Sequence, residues 1–254
     1  VYYENLILKR AGLISDEAVF SSFQGAIRNF EEKPGKLFQT PAEASYATWE
    51  DGPFGRTGDD YYKTISPYDK GPALGLLLDF KIRHATGNKK SLDNLMRLLY
   101  NRYYKAKGRG FTEQEFRHAA EEVAGEKLDD FFDYIYTVKP VDYTRYLNYA
   151  GLDIDTVSRV ADKAWLGLQV GNRHDSVMIR QVDYESPAWK AGIRSGMTIL
   201  QVNGVPLSVK SFQEMANAAR AGDQLTLNLL GKSGVEEVQV YFTDKIEKRF
   251  TITR

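Results

Sequence analysis

The chain has 254 residues, and its 34 Lys+Arg match its 34 Asp+Glu; this is room for one large domain or two ordinary ones, and a zero net charge argues against a general nucleic-acid binder or a polybasic membrane-surface protein. With 43% apolar and 13% aromatic residues, including 16 Tyr and 13 Phe, it can bury real cores, which excludes global disorder. There is no Cys and no run of 18 apolar residues, which excludes disulfides, thiol catalysis, Cys-ligated zinc and a helical membrane span while leaving the compartment open.

The opening, Val1-Tyr2-Tyr3-Glu4, lacks Met and a signal-peptide pattern and already reads as helix; the expectation is that an upstream segment has been removed. Ile14-Ser15-Asp16 predicts a helix start, with Ile14 placed to pack on Val19, and Phe20, Phe23, Ile27 and Phe30 follow at helical spacing up to Pro34-Gly35. Gly52-Pro53, Gly55 and Gly58 predict an irregular loop over 52–66. Leu74, Leu77, Leu78 and Ile82 form a second helical stripe, and Leu92, Leu95, Met96, Leu99 and Tyr103 a third behind a Ser91 cap. Thr112 and Glu115 form a capping box inside a Phe111–Phe116 staple, and Gly125 sits where that helix must stop. A short helix near Leu128–Tyr136 completes an all-α bundle, placed at residues 1–152.

Beyond about Ala164 the period changes. Short apolar runs at Trp165–Val170, Val177–Val182, Thr198–Val202, Leu225–Leu230 and Val238–Phe242 predict five strands. One helix, carrying Phe212, Met215, Ala216 and Ala219, interrupts them. The fold class is therefore multidomain, a helical bundle followed by a small α+β domain at 160–245. The segment Ser186-Pro187-Ala188-Trp189-Lys190-Ala191-Gly192-Ile193-Arg194-Ser195-Gly196, then Ile199-Leu200-Gln201-Val202-Asn203-Gly204, resembles the PDZ domains attached to bacterial proteases. It departs from their pattern at Met197, where Asp is usual.

Such a domain adds an extended peptide to a sheet edge. The resemblance implies that Trp165, Leu166, Gly167 and Leu168 offer backbone N–H groups to a terminal carboxylate, and that Phe212, Met215 and Ala216 form the far wall. Two plainer readings stand beside it: Phe212 and Met215 belong to the core, as on any amphipathic helix, or the groove is filled internally and the domain is a spacer.

In the first half, Ser66-Pro67-Tyr68-Asp69-Lys70-Gly71 is similar to a segment of the thermolysin-like zinc aminopeptidases. Together with Arg10-Ala11-Gly12-Leu13, Ser91-Leu92-Asp93, Gly110-Phe111-Thr112 and Ala150-Gly151-Leu152, it resembles the glycyl aminopeptidase family, whose members carry a C-terminal PDZ domain. That family holds zinc through an HExxH helix and a downstream Glu. His84, His118 and His174 have no such spacing, so no metal ligand is assigned here; the resemblance implies zinc in the full-length parent, bound upstream, and none in this chain. It also implies peptide substrates, the upstream catalytic part as a partner, and an exported or periplasmic location.

Tyr68 matches the tyrosine whose hydroxyl stabilises the oxyanion in related aminopeptidases; a phenol suits this because it is a neutral donor that can be aimed at developing charge. Whether Tyr68 does this or is an ordinary buried tyrosine stays open at the sequence level. His118 and the basic run of Arg102, Lys105, Lys107 and Arg109 read as solvated surface, and Asp129, Asp130 and Asp133 as residues that favour a helix start. The implied function is that of the C-terminal part of a zinc aminopeptidase acting near N-terminal small residues, inactive as an isolated chain. The alternative, from another class, is a non-enzymatic PDZ peptide-binding adaptor on a helical scaffold.

Overall fold

The structure, a computed structural model, describes residues 2–51, 58–173 and 176–253. His174 and the Gly52–Gly55 part of the predicted loop lie outside them. In chain order the helices are α1 (Tyr2–Arg10), α2 (Asp16–Glu32), α3 (Pro41–Tyr46), α4 (Thr48–Asp51), α5 (Pro67–Ala85), α6 (Leu92–Leu99), α7 (Glu113–Ala124), α8 (Asp129–Tyr136) and α9 (Tyr143–Asn148). Strands β1 (Asp153–Asp155), β2 (Ser158–Val160), β3 (Leu168–Arg173) and β4 (Ser176–Val182) follow. Helix α10 (Pro187–Lys190), β5 (Thr198–Val202), α11 (Val209–Ala218), β6 (Gln224–Gly231), β7 (Gly234–Tyr241), β8 (Ile246–Lys248) and β9 (Thr251–Thr253) complete the order. No described helix is long and apolar enough to cross a membrane.

These elements form two compact units. The described part of the first is residues 2–51, 64–157 and 249–253, and that of the second is 58–63 with 158–173 and 176–248. The first is helical. Its caps follow the sequence: Ser15 Oγ accepts from the Ala18 amide, and Thr112 and Glu115 close a reciprocal box. Gly125 ends α7 at φ 77°, in the left-handed region that favours glycine. Phe111 and Phe116 stack with ring centroids 5.9 Å apart. Phe23, Ile27, Leu77, Ile82, Leu95 and Phe132 meet in one core. Met96, placed by periodicity on the buried stripe of α6, is exposed instead: Leu92, Leu95 and Leu99 fill that stripe, and Met96 lies at its margin. Gly75 lets α1 approach α5, since a Cβ there would come within 2.8 Å of the Tyr2 side chain.

Strand β9 returns the chain to this first unit. It pairs antiparallel with β1, Asp153 opposite Thr253 and Asp155 opposite Thr251, and buries Phe250 in the helical core.

The second unit is built on a five-stranded antiparallel sheet of order β3-β4-β5-β6-β7. Residues alternate along β4 and β6, so Ile179, Leu227 and Leu229 point into a core shared with Ile193 and Phe212. The short β2 and β8 pair beside it as a separate two-stranded ribbon. Strands β3 and β7 are the sheet edges.

Candidate functional site

Two places carry the sequence-derived candidates, one in each unit. The first is the N-terminal turn of α5. Ser66 caps the helix, its Oγ accepting from the Tyr68 amide at 3.2 Å. The Asp69 carboxylate closes the box by accepting from the Ser66 amide at 2.8 Å. It also accepts from Asn29 Nδ2 on α2 at 3.0 Å and from Nζ of Lys33, the residue that caps the end of α2, at 2.7 Å. Lys70, only 2% exposed, runs inward, donates from Nζ to the Tyr134 carbonyl at 2.8 Å, and lies 5.0 Å over the Phe30 ring. Burial pushes the Lys70 ammonium down to about 8.

Two consecutive buried side chains with tertiary partners therefore fix this turn. Tyr68, one step around the helix from Asp69, projects to solvent at 71% exposure. No described residue takes or gives a hydrogen bond at its hydroxyl, so the phenol is open to an external acceptor. Pro72 has no N–H to offer the Tyr68 carbonyl four residues back, which leaves this first turn less completely bonded than the rest of α5.

The described residues hold no cluster of three or more His, Cys, Asp or Glu able to bind a metal. His84 stacks on Tyr149 at 4.0 Å, and His118 is exposed. The acidic residues of α8 are each matched by a cation: Asp129 by Arg117, Asp130 by Arg145 at 3.1 Å and Asp133 by Lys139 at 3.0 Å. Zinc thus finds no fitting donor set in these residues. Of the basic run, Arg102 and Arg109 make bidentate pairs with Glu122 and Glu115, while Lys105 and Lys107 lie over the Tyr100 and Tyr103 rings.

The second place is the edge of β3 beside α11. Trp165 exchanges backbone hydrogen bonds with Thr243, and its indole N–H donates to Asp183 at 3.0 Å. Leu166 is buried in the core, its carbonyl accepting from the Ala188 amide at 3.1 Å. Gly167 has φ 79° and abuts Ser186 so closely that any Cβ would collide with it. Its carbonyl accepts from the Asp183 amide at 2.8 Å. The carbonyls of this loop are thus turned toward the domain, whereas the amides of Leu166 and Gly167 have no partner among the described residues. Leu168 then opens β3, opposite Val182.

Helix α11 starts at the Ser208 cap, whose Oγ accepts from the Ser211 amide at 3.1 Å. Phe212 is buried in the core, and Met215 and Ala216, half-buried, pack against the same cluster as Leu168 and Val170. The loop, the β3 edge and the α11 face therefore come together. An open strand edge, two free amides at one end and an apolar helix wall can take an extended chain ending in a carboxylate. Met197, the departure from the expected pattern, accepts the Arg194 amide with Sδ at 3.4 Å.

Sequence reasoning missed the supports of Tyr68, namely Lys33, Asn29 and the Tyr134 carbonyl, which only tertiary packing brings to α5. The Asp183 partner of Trp165 was equally invisible.

Residues 1–74 match the M61 glycyl aminopeptidase family, and residues 164–241 match the PDZ domain family. The aminopeptidase N family protein of Idiomarina loihiensis superposes with a TM-score of 0.78 at 16% identity, over 99% of this chain and 45% of its own; the likeness is one of fold. A "Probable CtpA-like serine protease" of Staphylococcus aureus is 24% identical over 153 residues, 60% of this chain and 28% of that protein. The HtrA3 PDZ domain bound to a phage-derived ligand aligns at 19% identity and a TM-score of 0.30, over 36% of this chain and 93% of its own. The chain thus spans under half the length of the first two. In order along the chain stand a region that matches the M61 glycyl aminopeptidase family and one that matches the PDZ domain family.

Proposed function

We propose that this chain is the C-terminal part of an aminopeptidase that hydrolyses the peptide bond next to a small N-terminal residue, with a PDZ groove that takes the C-terminus of a peptide or protein. The observation that carries the hydrolytic half is the geometry of Tyr68. Its hydroxyl is solvent-facing and unengaged among the described residues, on a turn locked by buried Asp69 and Lys70.

In this reading the Tyr68 O–H donates a hydrogen bond to the oxygen that gains negative charge as the scissile carbonyl becomes tetrahedral. A preorganised neutral donor favours the charged state over the ground state and needs no reorganisation during the reaction. Zinc, which the family reading implies for the full-length parent, is given no residue of this chain. The supports of the turn, Asp69 through its cap and Lys70 through the Tyr134 carbonyl, hold the donor in place.

The test is Tyr68→Phe in the full-length protein. Removing one such donor is expected to lower kcat by about 10²- to 10³-fold with KM little changed. Unchanged turnover on peptides with N-terminal glycine or alanine would remove Tyr68 from the mechanism. For the groove, titration of the chain with peptides that differ only in a free or amidated C-terminus is expected to show binding of the free form alone. Equal binding of both forms would assign the groove to internal segments, and no binding at all would return it to a spacer.

A further inference from the structure

The segment 58–63 lies in the first half of the sequence but folds with the second unit. It forms a 3₁₀ turn, Gly58–Lys63. With three residues per turn, side chains at i and i+3 eclipse, so Asp59 and Tyr62 leave the same face. Both are engaged on that side. The Asp59 carboxylate accepts from the Ser195 amide at 3.0 Å. The Tyr62 ring stacks on Tyr184 with centroids 4.8 Å apart and meets Trp189 edge-on at 4.7 Å. The receiving surface is itself ordered: the Arg194 guanidinium covers the Trp189 ring at 3.8 Å and donates to the Trp189 carbonyl at 2.8 Å. The Trp189 amide is held by the Ser186 cap at 3.1 Å.

We propose that Tyr184, Trp189, Arg194 and the Ser195 amide form a second peptide-recognition site on the PDZ unit, and that segment 58–63 is its built-in ligand. The site selects an internal, not a terminal, peptide: a carboxylate and an aromatic ring three residues apart on a 3₁₀ turn. The ring supplies stacking area and the carboxylate a charge-assisted bond to a backbone N–H, so neither alone reproduces the match. The site shares no residue with the β3–α11 groove, and its test stands apart from the reading of that groove.

The experiment is amide hydrogen exchange on the whole chain, read at Ser195. In the wild-type protein this amide should be protected, although it lies in a loop. Asp59→Ala should accelerate its exchange about 10- to 100-fold, the factor expected for loss of one hydrogen bond to a charged group. Asp59→Asn, which keeps an acceptor oxygen, should recover part of the protection. Tyr62→Ala should accelerate Ser195 although it removes no atom bonded to it, while Tyr62→Phe should not. Amides of β4 and β6 should stay protected in all four variants, which separates undocking from unfolding. An unprotected Ser195 in the wild-type chain would overturn the proposal without any variant. So would Ser195 protection that survives both alanine substitutions.

Discussion

Buried charge sets the behaviour of the first unit at single positions. The lowered value of Lys70 means that between about pH 8 and pH 10.4 the unfolded chain holds a proton that the folded chain has released. Stability should therefore rise with pH across that window, by about 3 kcal/mol at most, and urea melts at pH 7.5, 8.5 and 9.5 would show it. Lys70→Met should flatten the rise. Above this window the trend should reverse: burial and the neighbouring Asp79 raise Tyr2, and burial and Glu31 raise Tyr143, so both favour the folded state only while protonated.

Asp79 acts through the hydrogen bonds it accepts. It accepts from the Tyr2 hydroxyl at 2.8 Å, Arg83 Nε at 2.9 Å and the Leu92 amide at 2.6 Å, tying α1 and the start of α6 to α5. Asp79→Ala should cost about 3 kcal/mol in chemical denaturation, because three buried or half-buried donors lose their acceptor together. A loss below 1 kcal/mol would mean that water replaces the carboxylate. Only the Asp79–Arg83 pair, four residues apart on α5, has a spacing that the sequence shows; Tyr2 and Asp79 are 77 positions apart, and no spacing reveals their coupling.

Among the elements, legibility followed period and length. The strands β3 to β7 were visible because alternation over five to eight residues is a local signal, and α2, α5 and α7 because apolar stripes recur over several turns. Helix α7 was the most legible element, since both its cap residues and its stop residue are encoded at fixed offsets. The short α3, α4 and α9 carry too few turns to show a stripe. The three-residue strands β1, β2, β8 and β9 have no period at all, and they exist only through pairings such as Ser158 with Lys248. The candidate site was legible only where a local motif carried it, as at Tyr68 and in the loop before β3.

That loop makes its own prediction. Gly167→Ala combines a disfavoured φ with a collision against Ser186. It should abolish C-terminal peptide binding in a titration while the far-UV circular dichroism of the chain stays the same. Retained affinity would show that the Leu166 and Gly167 amides do not hold the carboxylate.

For the molecule as a whole, sequence order and folding unit do not coincide. Phe250, beyond the PDZ domain in sequence, is buried among the helices of the first unit, and Ile252 donates its amide to Gln24 Oε1 at 3.0 Å. Phe250→Ala should destabilise the first unit by about 3–5 kcal/mol, the cost of emptying a buried aromatic site. Hydrogen exchange resolved by unit would detect it in α2 and α9 and leave β5 and β6 unaffected. If protection fell in the sheet instead, Phe250 would be acting on the second unit.

The pairing of β1 with β9 also bears on how the polypeptide is made. Residues 249–253 emerge from the ribosome roughly 90 positions after Val157, which at 5–20 residues per second is a delay of about 5–20 s. Through that interval the helical bundle must wait without Phe250, its apolar seat exposed to whatever chaperone stands at the exit tunnel. Segment 58–63 waits in turn for Tyr184 and Trp189 to be synthesised. Neither unit can be finished in the order in which it is translated.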